Sequence, residues 1–519
     1  MESHLQDDPY KSHYPYCLIP PHPDIENRFI NTRKLIAQDR AITESENAID
    51  LRTYSILAQR PRNNVFIKAP SKVKTTGTLK ALVLLVDFSD NQGSTNKDHY
   101  KDLLFSTGTY STGSMQDYFK ESSYGTLSII GEVLGWYRMP QPYTYYVDNQ
   151  NGFGTYPKNV QKLIEDAVDA ANSDVNYANY DSDGDGYVDA LFIVHSGVGA
   201  ETTGKSDQIW SHRWSIADRT LDGVKIRDYT CEAEDGRIGL FCHELTHVFN
   251  IPDLYDTDYS SRGIGRWCLM AGGSWNNNGL TPSQPSAWVK KTLGWVSPTN
   301  VLSDQSGVSL VDIESNAKMY RLWTGGSIGK EYFLVENRQK KGFDSHLPSS
   351  GLAIWHIDEN QTTNADEAHF LVALEQADGK LDLEKNANSG DAGDLYRGTS
   401  ANSTFDVSST PNSKSYSGAD TNVSVSNIND SSSTITFDIK AGAGAAVTGG
   451  WRYNCKITQL WATNTTAWIY IASPGTPGWR QLASSTKDMF AIAIKAKIYG
   501  KLVNIYEDSA SKVLIINMA

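Results

Sequence analysis

The hydrophobic pattern changes character along the chain. Residues 79–86 form an unbroken apolar run, the mark of a strand buried on both faces, and residues 190–194 repeat it. Residues 127–133 are a further strand candidate. Val160, Leu163, Ile164, Ala167, Val168 and Ala171 recur at helical spacing, which predicts a helix over 159–171. From about residue 300 to 440 the runs are short and alternating, as at 318–323, 332–336 and 352–357, and Gly, Ser, Asn and Asp separate them. That texture predicts a β-sandwich-like layer. Residues 441–446 predict a small-residue linker, and short strands rich in Trp, Ile and Val follow it. Ahead of Leu79 the chain is polar and contains Pro, with a helix predicted over 24–59. The expected architecture is α+β and multidomain. It has an N-terminal extension over 1–75, a mixed α/β domain over 76–300, a β-sandwich-like domain over 301–440 and a small β domain over 447–519.

Composition narrows the function classes. The 519 residues include 13 Trp, 27 Tyr and 15 Phe, enough for large cores, so wholesale disorder is excluded. A net charge of −13 argues against nucleic acid and anionic membrane as partners, because both need a basic face. No stretch reaches the roughly 18 apolar residues of a transmembrane helix. Residues 1–16 lack the apolar centre of an export signal. Five cysteines, Cys17, Cys231, Cys242, Cys268 and Cys455, are too few for a disulfide scaffold. Cys231, Cys242 and Cys268 lie near one another in sequence and leave one bridge open.

The chemistry concentrates in one segment, Phe241-Cys-His243-Glu244-Leu-Thr-His247-Val-Phe-Asn250-Ile-Pro252-Asp253-Leu-Tyr-Asp256. On a helix, His243 and His247 stand one turn apart on one face and are expected to project into a cleft, while Ile238, Phe241, Leu245 and Val248 gather on the other, buried in the core. Two neutral imidazoles and a third ligand hold Zn²⁺ and leave a position open for water, and a neighbouring carboxylate takes the water's proton. Glu244 is the base this pattern offers. The alternative is a surface helix with two solvated histidines. Asn250 stands where the chain must turn and tolerates a left-handed conformation, and Pro252 stops helix from resuming. Asp253 follows as the third zinc ligand. Asp256 is its rival, and Asp253 as an outer-shell partner that orients a histidine is the other reading.

These residues resemble the metzincin zinc endopeptidases, with Asn250 for the usual Gly and Asp253 for the third His. The Asp points to the immune inhibitor A-type metallopeptidases. The stretches Trp267-Cys-Leu-Met270-Ala-Gly-Gly-Ser-Trp275, Pro285-Ser-Ala-Trp288, Glu331 through Arg338 and Gly351 through Asp358 are similar to that family as well. The resemblance covers about residues 80 to 440. It implies a metzincin-like catalytic domain followed by all-β domains, Met270 as a structural Met-turn beneath the zinc, and a secreted zymogen whose residues 1–75 act as a propeptide.

Other candidates remain. Asp181, Asp183, Asp185, Gly186, Tyr187 (through its carbonyl) and Asp189 follow the front of a calcium loop but lack its closing Glu, so the segment is EF-like. An acidic turn held by its own backbone bonds is the alternative. His212, in Ser211-His212-Arg213-Trp214, is a candidate oxyanion stabiliser or else a packed ring. His356 and Asp358 are expected to be buried structurally. Cys17 is either an ordinary thiol or a thiolate that plugs the open zinc position in a latent form. Trp451, Trp461, Trp468 and Trp479 are either core or a glycan- or surface-binding face.

The function expected is a zinc-dependent endopeptidase acting on proteins or peptides, with calcium as a second cofactor. The alternative is an inactive protease scaffold that binds a surface or glycan through its β domains. The resemblance implies secretion, although residues 1–16 show no export signal.

Overall fold

The computed structural model describes residues 17–37 and 73–441. It also describes the C-terminal segments 450–462, 467–473, 478–482, 493–494, 496–498, 500–507 and 513–518. The predicted helix over 24–59 appears as Pro23–Ala37, and its remainder lies outside the described residues. So do residues 1–16 and all of the expected linker beyond Ala441.

A six-stranded sheet organises the first region. Its strands are β1 (Cys17–Leu18), β2 (Gly77–Asp87), β3 (Leu127–Arg138), β4 (Ala190–His195), β5 (His212–Leu221) and β6 (Val224–Ala233). Their order is β1-β5-β6-β4-β2-β3. β2 runs parallel to β3 and β4, and β4 runs parallel to β6. β5 is antiparallel to β6, and β1 pairs antiparallel with β5 at the sheet edge. The sheet is apolar on both faces. Ala81, Val83, Leu85, Phe192 and Val194 point to the core that contains the helix Ile238–Val248. Leu82, Leu84, Val86, Leu191 and Ile193 point to the core beneath the helix Val160–Ala171. This double burial explains the unbroken apolar run over 79–86. Asn159 caps the second helix, its side chain accepting from Lys162 N.

A β layer follows, with β7 (Thr299–Asn300), β8 (Gln305–Val311), β9 (Tyr320–Leu322), β10 (Glu331–Arg338), β11 (Gly351–Asp358), β12 (Val372–Leu374), β13 (Ser424–Ser426) and β14 (Thr434–Lys440). A five-stranded sheet, β12-β11-β10-β9-β7, faces a three-stranded sheet, β13-β14-β8, across a shared core. The first core continues into this layer. Tyr332, Leu334, Trp355, Ile357 and Leu374 pack into the same cluster as Leu245 and Met270. One side of β10 and β11 therefore supports the region before residue 300.

A fourth, separate sheet carries β15 (Gly450–Ala462), β16 (Ala467–Ser473), β17 (Gly478–Gln481), β18 (Val503–Glu507) and β19 (Val513–Met518), in the order β17-β16-β15-β18-β19. Trp461 pairs with Trp468 and Tyr470 with Trp479, so these four rings share one face. Trp461 and Trp479 are exposed. The side chain of Trp451 lies outside the described residues.

No disulfide joins the five cysteines. The bridge left open by sequence does not form: Cys231, Cys242 and Cys268 are free and buried, Cys231 in the core on the opposite sheet face from the other two.

Candidate active site and metal centre

The helix Ile238–Val248 is set close to its neighbours at its start. A Cβ on Gly239 would lie 2.0 Å from the Ser274 carbonyl oxygen, so only glycine lets the helix approach the loop after Met270 so closely. Every residue of the helix is buried. The expectation that its histidine face opens to a cleft is corrected: His243 and His247 are both 0% exposed.

The helix ends as its sequence dictates. The N–H of Phe249 bonds Thr246 O and that of Asn250 bonds His247 O, and Asn250 takes φ +62°. That left-handed residue reverses the chain before Pro252. Asp253 is thereby returned to the helix. Its Oδ1 lies 3.2 Å from His243 Nε2 and 3.2 Å from His247 Nε2, and the two Nε2 atoms are 3.1 Å apart.

Both rings are oriented from behind. His243 Nδ1 bonds the Leu269 carbonyl at 2.9 Å, and His247 Nδ1 bonds the Ile251 carbonyl at 2.7 Å. A carbonyl only accepts, so each Nδ1 carries the proton and each Nε2 presents a lone pair. Burial holds the His247 imidazole below its ordinary pKa, which keeps the ring neutral. Burial opposes charge on Asp253 too, and positive charge lodged between it and the His247 and His243 rings, whether a proton or a metal ion, holds the carboxyl well below the usual range. Two neutral nitrogens and an ionised oxygen are thus gathered in a dry site, all turned inward.

This donor set fits zinc. Four tetrahedral ligands at zinc's usual N and O bond lengths stand about 3.3 Å from one another. The three edges found here, 3.1, 3.2 and 3.2 Å, match that triangle. Glu244 is buried beside His243 on the same helix. Asp256 is not part of the triangle. Its carboxylate accepts from Asp258 N, Ser260 Oγ and both Ser261 N and Oγ, which makes it the anchor of the following turn.

The segment containing Met270 closes the site from another side. The Leu269 carbonyl holds His243, and the Met270 carbonyl accepts from Leu254 N, next to Asp253. Arg338 braces the segment. It is fully buried, bonds Asp344 and Glu336, and donates to the Trp267 carbonyl at 3.1 Å. Burial alone would discharge it, but the carboxylates of Asp344, Glu336 and Glu314 keep the guanidinium charged. Sequence reasoning missed Arg338, Leu269 and Ile251 as parts of the site. The two carbonyls left no residue-type signal.

The chain segment that carries this geometry also decides its kinship. The model of the immune inhibitor A peptidase M6 catalytic domain matches residues 68–296. That segment is similar to the immune inhibitor A family of peptidases. Pre-pro-metalloprotease PrtV of Vibrio cholerae serotype O1 is 32% identical over 273 residues, covering 42% of this chain and 30% of that protein. Immune inhibitor A of Bacillus thuringiensis subsp. alesti is 31% identical over 274 residues, covering 41% of this chain and 40% of that protein. The chain spans less than half the length of these curated relatives. All four residues of the centre, His243, Glu244, His247 and Asp253, lie inside the M6 segment.

Outside the M6 centre the other candidates separate. His212 sits on the sheet face opposite the histidine helix, among Phe153, Trp214 and Tyr229. Its Nδ1 bonds the Trp210 carbonyl at 2.7 Å and its Nε2 meets Tyr229 Oη at 3.2 Å. Burial pushes its pKa down to about 3. These surroundings are those of a packed ring, one of the two readings left open for His212. Asp181, Asp183 and Asp185 bring carboxylate oxygens within 4.8 Å of one another. They also bind their own loop, since Asp181 accepts from the N–H groups of Gly184, Asp185 and Gly186, and Asp185 accepts from Tyr187 N. Asp189 accepts from Ser182 N, and burial raises its pKa to about 6. His356 is buried between Glu331 and Glu375, as expected of a structural residue.

Proposed function

We propose that this protein is a zinc-dependent endopeptidase that hydrolyses peptide bonds in protein substrates. The observation that carries the reading is the triangle of His243 Nε2, His247 Nε2 and Asp253 Oδ1, three lone-pair atoms with edges of 3.1–3.2 Å. A cation shared between the three groups would relieve the repulsion of three acceptors gathered in a dry site. Zinc, when bound, supplies Lewis-acid activation of the scissile carbonyl and of water.

The chain supplies the rest. His243, His247 and Asp253 hold the ion, and the carbonyls of Leu269 and Ile251 keep both rings in the ligating tautomer. Glu244 takes a proton at its carboxylate and returns it to the departing amine. No side chain forms a covalent bond to the substrate. Met270 belongs to the turn that fixes His243, the metzincin-like role. The acidic loop at Asp181, Asp183, Asp185, Tyr187 and Asp189 takes calcium and fixes the approach to β4, a reading its three gathered carboxylates support. The words "pre-pro" in the name of the cholera relative support export and a removable N-terminal part here too. No helix among the described residues is long and apolar enough to cross a membrane.

The test is casein cleavage that a chelator abolishes and stoichiometric zinc restores. The inactive-scaffold reading is not favoured, because the centre keeps its full donor set.

A further inference from the structure

The stretch from Leu254 to Trp267 joins Asp253 to the turn at Met270, and residues beyond the M6 segment hold it. Asn364, from the β layer, is fully buried, and its Nδ2 donates to the Leu254 carbonyl at 3.0 Å. We propose that Asn364 is a positioning residue of the metal centre, which sets Asp253 against the two imidazoles through the peptide that follows it. This rests on the metallopeptidase reading above and assigns part of the centre's geometry to a residue outside the M6 segment.

The asparagine is itself fixed. β12 is an edge strand of its sheet, and both backbone groups of Val372 on it meet Asn364. The Val372 N–H donates to Oδ1 at 3.0 Å, and Nδ2 donates to the Val372 carbonyl at 2.8 Å. A backbone N–H only donates, so Oδ1 must face it, and both hydrogens of Nδ2 are left for carbonyls. Those carbonyls are Val372 O and Leu254 O. All three bonds fix the plane of the amide, which ties the sheet edge to the residue next to Asp253.

The Leu254 peptide is where the tethers meet. Its N–H donates to Met270 O at 2.8 Å, one residue past the Leu269 carbonyl that holds His243. Its carbonyl accepts from Ile264 N at 3.1 Å as well as from Asn364. A Cβ on Gly263 would lie 2.1 Å from Leu254 O, so the returning chain packs directly on that carbonyl. Leu254 is fully buried and no water replaces a lost donor there at low cost. Without Asn364 the carbonyl keeps one partner, and the peptide that carries Asp253 gains room to turn.

The same layer grips the rest of the stretch. Asn386 Nδ2 donates to Tyr259 O at 3.0 Å, Arg262 N to Leu383 O at 2.9 Å, and Arg266 N to Ser389 O at 2.8 Å. Trp267 Nε1 donates to Asp394 Oδ2 at 2.9 Å. These four contacts hold the stretch away from the ligands. Asn364 is the one of the five that reaches the neighbour of a ligand.

The test titrates the full, metal-free chain with Co²⁺ and with zinc, comparing wild type, Asn364→Ala, Asn364→Asp and Val425→Ala. Visible cobalt absorption reports the arrangement of the ligands, and chelator competition reports zinc affinity. Asn364→Ala is expected to change the cobalt spectrum and to lower zinc affinity at least about tenfold, as loss of a group that orients a ligand does. Asn364→Asp keeps the shape without the donor and is expected to do the same. Val425 lies in the core between the two sheets of the β layer. Val425→Ala is expected to lower the melting temperature and to keep the wild-type spectrum and affinity. Asn364 variants with the wild-type spectrum and affinity overturn the proposal alone. An equal loss in Val425→Ala overturns it as well, because lost stability and not lost position is then the cause. A wild-type chain that binds no cobalt overturns the proposal together with the metallopeptidase reading. If Asn364→Ala does not fold, Asn364→Asp and Asn364→Ser decide by the same readings.

Discussion

The Nε2 atoms of His243 and His247 face each other at 3.1 Å, while the opposite nitrogens are tied to the carbonyls of Leu269 and Ile251. One carbonyl comes from the turn at Met270 and the other from the reversal at Asn250. The two ends of the site thus set the tautomers, and the helix sets only the spacing.

The third ligand is distinguished from its neighbour by substitution. Asp253→Asn keeps the shape but removes the charge, and zinc affinity is expected to fall at least about a hundredfold, more than loss of an outer-shell partner costs. Asp256→Asn leaves zinc affinity within a few-fold and lowers thermal stability, because that carboxylate holds the turn at Ser260 and Ser261. Competition with a chromophoric chelator measures both. Equal losses would contradict the assignment.

The reversal after the helix depends on backbone conformation. Asn250 has φ +62°, where a residue with a Cβ and no local hydrogen-bonding side chain costs roughly 1–2 kcal/mol. Asn250→Ala is expected to lower stability by about 1 kcal/mol and to weaken zinc binding, and Asn250→Gly to do neither. Urea unfolding of the zinc-loaded chains checks this. An Ala variant as stable as the Gly variant would contradict it.

How far the sequence carried this site follows from these residues. The pair at i and i+4, the turn at Asn250 and the return of Asp253 were all legible, because helix geometry and a left-handed Asn are local effects. The buried strands at 79–86 and 190–194 were legible for the same reason. What was illegible was long-range. Wheel geometry gave the histidines an exposed face, but segments distant in sequence cover it. Arg338 reads as a strand terminus until the fold brings it to Trp267 O. Cys17 was placed only as one of two readings, since nothing local links it to His247 and Asp253, beside which the fold sets it. His212 reads like a site residue because a His among aromatics does not reveal which sheet face it takes.

Calcium is expected to raise thermal stability. If it binds the folded loop alone, a concentration one hundred times its dissociation constant stabilises by about 2.7 kcal/mol. Asp183→Asn is expected to remove most of that gain. Melting curves with calcium and with a calcium-selective chelator measure it, and superimposable curves for wild type would contradict the site.

The pH dependence of the β layer turns on His356. Burial opposes charge on this ring, but its bonds to Glu331 at 3.1 Å and Glu375 at 3.2 Å outweigh burial and raise its pKa above 6.5. A folded-state value above the unfolded one means the contribution is complete below about pH 6.5 and is lost as pH rises through the folded value. The difference in melting temperature between wild type and His356→Gln is therefore expected to be largest near pH 6 and to shrink toward pH 9. A difference that grows with pH would contradict the charged-ring reading.

Glu244 tests the central claim most directly. Zinc content and casein turnover are compared with and without Glu244→Ala. The account predicts one zinc per chain in both and a loss of turnover of at least about a thousandfold, roughly 4 kcal/mol of transition-state stabilisation. Casein cleavage that survives Glu244→Ala, or chains that bind no zinc, would contradict it.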